Sequence, residues 1–304
     1  VFVSANANGD YNDGTEYPVG ENPTTLVVAD FNADHVLDVA VAYIGPWQQS
    51  NGGVSVLLGN SNGSLHSATN LNLGISAFGS PSLTAQDLNH DGKGDLAISD
   101  PYKSGVHILL GNGDGSFVPS SFRGTQVAPT QLIATDVNGD SLVVLIGVGD
   151  DNGKSSLLVL LGQQNGSFTE MSNGILPAQM RSLASGDVNK DGRVDVVTTA
   201  NITGSVQILL GDGQGGFTLG DAYQSAESAD NLHIMDFDWD GNMDIVVAGG
   251  DPAALTPNEN SSAIAILPGK GDGTFHAARS VLSSSSLTSV AVAHLNGDGA
   301  QDIV

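Results

Sequence analysis

The stretch DFDWDGNMD, residues 236–244, decides how this chain is read. It puts carboxylates at its first, third, fifth and ninth positions: Asp236, Asp238, Asp240 and Asp244. Gly241 stands sixth, where a loop doubling back on itself needs a permissive backbone. Alternating oxygen side chains on a tight loop form a cage for a hard cation that takes oxygen ligands, and calcium suits that set best. The backbone carbonyl of the seventh residue, Asn242, is expected to complete it.

The stretch recurs. DFNADHVLD offers Asp30, Asn32, Asp34, the carbonyl of Val36, and Asp38, with His35 in the glycine's place. DLNHDGKGD offers Asp87, Asn89, Asp91, Lys93 and Asp95, and DVNKDGRVD offers Asp187, Asn189, Asp191, Arg193 and Asp195. HLNGDGAQD keeps Asn296, Asp298 and Asp302 but starts with His294. DVNGDSLVV keeps Asp136, Asn138 and Asp140 but ends in Val144. Four loops are therefore intact, one has an altered first ligand, and the Val144 loop is expected to hold no ion. Polar turns closed by Asx hydrogen bonds need no metal, and that reading is kept for Asp136 to Val144. It does not account for the return of Asp at the ninth position in five of six copies. An EF-hand needs flanking helices and a twelfth-position Glu. Here the twelfth residues are Val41, Ile98, Thr198 and Val247, inside strand-like runs, so that motif fails.

A second marker alternates with the acidic loops: a strand ending in glycine, a Gly/Asn/Asp turn, then usually Phe. Its glycines are Gly59, Gly111, Gly162, Gly211 and Gly269, and the pattern reads as a β-hairpin. Each unit is thus strand, acidic loop, strand, variable connection, strand, glycine turn, strand. Loop starts at 30, 87, 136, 187, 236 and 294 give a period of roughly fifty residues, as in propeller blades. Most length variation falls between the second and third strands, where binding residues on a rigid scaffold tend to lie. The opening VFVSANANGDY aligns Ala5 with the hairpin glycine and Tyr11 with the Phe, so the chain is expected to open in a third strand. It is expected to close in a second strand at Asp302 to Val304, the two ends sharing one blade and leaving no open sheet edge. A fragment of a longer array is the alternative. A single domain over residues 1–304 is expected. A β-helix has much shorter repeats, and nothing here recurs at that scale.

The 33 acidic and 9 basic residues leave a net charge of −24, which argues against nucleic acid or an anionic membrane as partner. No apolar run is long enough to span a bilayer. The chain does not begin with Met, so a removed signal peptide is compatible with it. There is no cysteine, which excludes disulfides and thiolate metal sites. Calcium loops of moderate affinity stay loaded outside a cell, so they favour a secreted or cell-surface setting.

These loops and the hairpins, such as GNGDGSF at 111–117, resemble the FG-GAP/VCBS repeat family of integrin-α-like propellers over essentially the whole chain. The resemblance implies an all-β, six- or seven-bladed propeller of four-stranded antiparallel blades, with calcium at the four intact loops; His294 and Val144 depart from the motif. About four to five structural calcium ions are expected. It also implies calcium loops on one face and partner binding on the other, which carries the second-to-third and fourth-to-first connections. Tyr43, Trp47, Tyr102, Asp150, Asp151 and Asp251 fall on those connections. Exposed aromatics beside carboxylates suit a glycan or protein partner; for Tyr43 and Trp47, folding back over their own loop is the competing reading. A binding or adhesion module is the leading functional expectation. The alternatives are a propeller enzyme, similar to polysaccharide lyases, dehydratases or phospholipases, and a structural segment of a surface assembly. The seven histidines are scattered without zinc-site spacing, and no nucleophile motif appears. Sequons at Asn62, Asn165, Asn201 and Asn260 are short patterns with a high chance rate.

Overall fold

The computed structural model describes residues 14–47, 49–151, 154–171, 174, 176–177, 179–200, 204–225, 227–250, 262–284, 292–293 and 302–303. Among them there is no helix. Five four-stranded antiparallel sheets follow one another along the chain, each with its strands in sequence order. The first holds β1 (Pro23–Ala29), β2 (Asp38–Tyr43), β3 (Gly52–Leu57) and β4 (Thr69–Ile75). The second holds β5 (Leu83–Gln86), β6 (Asp95–Asp100), β7 (Gly105–Gly111) and β8 (Phe117–Gly124). The third holds β9 (Ala128–Thr135), β10 (Val144–Asp151), β11 (Lys154–Gly162) and β12 (Phe168–Met171). The fourth holds β13 (Met180–Gly186), β14 (Asp195–Ala200), β15 (Ser205–Gly211) and β16 (Phe217–Gln224). The fifth holds β17 (Glu227–Met235), β18 (Asp244–Gly250), β19 (Ser262–Leu267) and β20 (Arg279–Ser284), and a short pair joins β21 (Val292–Ala293) to β22 (Asp302–Ile303).

Each sheet follows the unit order expected from the sequence. Burial differs between the strands of a sheet. Middle strands such as β6 and β14 are buried at every position, including the ninth Asp of the acidic loop with which each begins. The outer β1 and β8 are largely exposed. Two compact units emerge from the fold: Val1–Ala134 with Leu160–Glu170, and Thr135–Val159 with Met171–Val304. In the first unit, the core joins Ala40, Val54 and Ile75 of one sheet to Leu83, Leu96 and Leu109 of the next. In the second, Val197, Val206 and Ile208 pack with Leu232, Ile245 and Leu267 in the same way. Within both units, first strands of consecutive sheets are neighbours, β1 with β5 and β13 with β17.

Candidate metal centre

The acidic loops join the first strand of a sheet to its second. Their ninth carboxylate has a structural task that spacing alone does not reveal. Asp38, Asp95, Asp195 and Asp244 are at most 1% exposed. Each bridges two backbone donors. Asp95 Oδ2 accepts the N–H of Leu88, the loop's second residue, at 2.9 Å, and its Oδ1 accepts the N–H of the hairpin glycine Gly111 at 2.7 Å. Asp38 does the same for Phe31 and Gly59, Asp195 for Val188 and Gly211, and Asp244 for Phe237 and Gly269, all between 2.7 and 3.0 Å. Each carboxylate thus ties its acidic loop to the hairpin of the same sheet. Burial pushes the Asp95, Asp195 and Asp244 carboxyls upward; the two N–H bonds oppose this, and neighbouring carboxylates add to the rise.

The same contact explains the hairpin glycine. A Cβ on Gly111 would stand 2.2 Å from the carbonyl oxygen of Gly94, and Gly59, Gly211 and Gly269 meet the eighth loop residue's carbonyl at 2.1–2.2 Å. The second loop residue is also used twice. While its N–H bonds the ninth Asp, its carbonyl accepts a glycine N–H from the next sheet's hairpin, Gly115 to Phe31 and Gly273 to Val188, both at 3.1 Å.

The first, third and fifth side chains wind the loop around themselves. Asp87 Oδ1 accepts the N–H of Asp91, and its Oδ2 that of Gly92; Asn89 and Asp91 accept N–H groups two residues on. The Asp187 loop repeats these bonds. In the first loop, burial opposes the ionised form of Asp30, but N–H groups from His35, Asn32 and Asp34 outweigh it and the carboxyl is lowered. The fourth and sixth residues take positive φ, including His35 at 66° and Trp239 at 62°. The Asp136 loop closes through the same kind of bonds although Val144 replaces the ninth Asp. Loop shape therefore does not separate an ion site from an Asx turn; the donor set does.

That set is most complete in the fifth loop. Oxygens of Asp236, Asp238 and Asp244 lie within 4.8 Å of one another. Asp236 Oδ1 is buried and has no hydrogen-bond partner. A carboxylate with one buried, unpartnered oxygen, clustered with two further carboxylates, fits a hard cation with oxygen ligands. Asp240 stands beside them; its carboxyl is lowered by the Asn242 backbone and side-chain amides. Of the altered loop, Asn296 and Asp298 lie outside the described residues, and Asp302 is placed only as part of β22.

The opposite strand ends hold the other expected residues. Tyr43 is a correction: it is 7% exposed, its hydroxyl reaches the Leu71 carbonyl at 3.4 Å, and its ring occupies the space a Cβ on Gly20 would need. It is core, not rim. Trp47 is 71% exposed and Tyr102 65%, so both are at the surface. Asp150 and Asp151 end β10 with side chains outside the described set, and Asp251 lies outside it altogether. Two features went unread in the sequence. Phe78, 64% exposed, pairs with Tyr102 at 6.0 Å between ring centroids. Asp100, fully buried, receives the Lys103 N–H at 3.2 Å and faces Lys103 Nζ at 3.3 Å and His107 Nε2 at 3.4 Å. Only the apolar pattern of β6, interrupted by Asp100 at its end, hinted at this cluster. It pins the β6–β7 connection from beneath. The Asn62 and Asn165 sequons are hairpin turns in which the amide oxygen accepts Ser64 and Ser167 donors, a place Asp114 and Asp272 fill elsewhere.

A family model described as an FG-GAP-like repeat matches residues 30–98, 87–146, 136–198 and 187–247. No curated protein matches the sequence. Among solved structures, a protein from Lactobacillus plantarum is similar at 14% identity and a TM-score of 0.61, over 93% of this chain and 77% of that one. A triple arginine-to-alanine mutant of AofleA from Arthrobotrys oligospora is similar at 12% identity and a TM-score of 0.54, over 92% and 81%. At such identities the likeness speaks to the fold alone, and with the repeat match it gives an all-β fold of β-propeller type.

Proposed function

The chain belongs to the FG-GAP-like repeat family, and from that premise we propose a secreted, calcium-stabilised β-propeller that binds a glycan or protein partner at the strand ends opposite its acidic loops. The unpartnered, buried Asp236 Oδ1 carries the calcium part of this reading. Asp236, Asp238, Asp240 and Asp244 would hold the ion, with the Asn242 carbonyl, and the matching residues of the Asp30, Asp87 and Asp187 loops would do the same. When bound, the cation supplies positive charge to a loop of like charges and stabilises the fold by RT ln(1 + [Ca]/Kd) per site. The Val144 loop lacks the ninth carboxylate and is assigned no ion. An extracellular setting follows from the calcium level such loops need. The exposed Trp47 and Tyr102 support the partner face.

We extend the proposal to the repeat register, with six or seven four-stranded blades. Tyr223 of β16 accepts, through its hydroxyl, the Phe275 N–H at 3.1 Å, and Tyr17 accepts the Leu65 N–H at 3.0 Å. Tyr223 lies six residues after Phe217, and Tyr17 six after Tyr11, the residue aligned with that Phe. The shared register supports the sequence alignment of Tyr11 with the hairpin Phe. Calcium titration of variants tests the sites. Asp240→Ala and Asp191→Ala should each lower bound calcium by about one, and Asp140→Ala should not change it. Unchanged stoichiometry in the first two contradicts the assignment.

A further inference from the structure

Phe78 and Tyr102 stand on two different connections, β4–β5 and β6–β7, yet their rings meet at 6.0 Å with 35° between planes. Both remain about two-thirds exposed. Water-facing aromatic pairs are costly to a soluble surface unless something covers them. Their positions are also fixed from below. Asp100 anchors the Tyr102 connection through Lys103 and His107. Ser76 Oγ receives the Phe78 N–H at 3.4 Å, Gly79 abuts Pro101, and Ser82 and Ser99 exchange hydrogen bonds at 2.8 and 2.9 Å. The pair is therefore held open before any ligand arrives, so binding would order few side chains.

We propose that Phe78 and Tyr102 form a stacking platform for a neutral saccharide chain. This rests on the partner-face reading above and narrows it to a chemistry and a place. The two connections carry one charged residue, Lys103, and its ammonium is taken up by Asp100 at 3.3 Å and the Gly74 carbonyl at 2.7 Å. The remaining polar groups there are serine hydroxyls and backbone amides. An uncharged ligand with apolar ring faces and hydroxyl edges complements that surface, whereas an anionic one meets a chain of net charge −24. The Tyr102 hydroxyl has no hydrogen bond among the described residues and is free to meet a sugar hydroxyl. Gly74 sits between Lys103 Nζ and the Ser50 carbonyl, so the connection carrying Trp47 borders the platform. That connection also carries the exposed Trp47, a third aromatic that suits a chain rather than a single sugar.

The test is affinity electrophoresis and calorimetry of the calcium-loaded full chain. Xyloglucan, mixed-linkage β-glucan, galactomannan and dextran serve as neutral probes, with polygalacturonate as the anionic probe and a proline-rich peptide as the protein-like probe. The expected result is binding to at least one neutral polysaccharide, weakened about tenfold or more in Phe78→Ala and in Tyr102→Ala with thermal stability retained. Tyr102→Phe should keep most of the affinity. Neutral-glycan binding that both alanine variants retain overturns the platform while leaving the partner-face reading standing, and Trp47→Ala then tests that reading. Platform-dependent binding to polygalacturonate or to the peptide alone overturns the neutral-saccharide assignment. So does a concentration-dependent dimer abolished by Tyr102→Ala, because a second copy then covers the rings. Binding to no probe overturns the inference and the glycan form of the reading together.

Discussion

Replacing Asp95 with alanine separates what the acidic loop does for the fold from what it does for an ion. Asp95 is fully buried and its two oxygens accept the Leu88 and Gly111 N–H groups at 2.9 and 2.7 Å. Hydrogen bonds to a charged acceptor are worth about 1.5–3 kcal/mol each, so the pair contributes roughly 3–6 kcal/mol. Against this stands relief of a buried charge, whose pKa is raised first by burial and then, against the two N–H bonds, by Asp91 and Asp87. That relief leaves a net cost of about 2–5 kcal/mol, with two buried donors left unpaired. Urea unfolding in excess chelator measures it without any contribution from bound metal. Asp91→Ala is the internal comparison, because it removes an exposed acceptor for the Lys93 N–H and should cost below about 1 kcal/mol under the same conditions. If Asp95→Ala is no worse than Asp91→Ala in chelator, the carboxylate bridge does not hold the loop to its hairpin.

Two further predictions rest on the same geometry. Gly111→Ala drives a Cβ to 2.2 Å from the Gly94 carbonyl and should lower stability by at least about 2 kcal/mol. Its cost should combine with that of Asp95→Ala less than additively, since both break one contact; simple additivity in a double-mutant cycle contradicts this. Asp100 is opposed by burial, but His107 and Lys103 hold its carboxyl below the ordinary 3.8. Its stabilisation is therefore present above that value and lost as pH falls through the lowered folded value. The stability gap between wild type and Asp100→Asn should shrink between about pH 7 and pH 3, and a constant gap across that range counts against the ion cluster.

Much of the fold was readable because each unit repeats its punctuation. Asp at the loop ends and glycine at the hairpins mark strand boundaries that coincide with β2, β6, β14 and β18 and with the ends of β7 and β15. The ninth Asp was legible as a recurrent carboxylate, yet its bond to a glycine 16 residues onward in the Asp95 and Asp195 loops is a tertiary contact that local spacing does not encode. For the same reason the hairpin glycine looked like turn chemistry. Its φ freedom is not the issue; the Gly94 carbonyl simply leaves no room for a Cβ. Tyr43 was misjudged because it lies at the boundary between β2 and its connection, where the pleat decides whether a ring faces core or water. Phe78 was missed because a lone aromatic in a serine-rich connection has no pattern, and its partner Tyr102 is 24 residues away in sequence.

The central claim is that the acidic loops are cation cages and not only turns. The most direct test is calcium content of the purified chain together with thermal melts in calcium and in chelator. The account predicts roughly four to five bound ions and a large loss of melting temperature on chelation, with calcium restoring it. A chain that binds no calcium and melts identically in both conditions would contradict it, and the loops would then be Asx turns held by their own carboxylates.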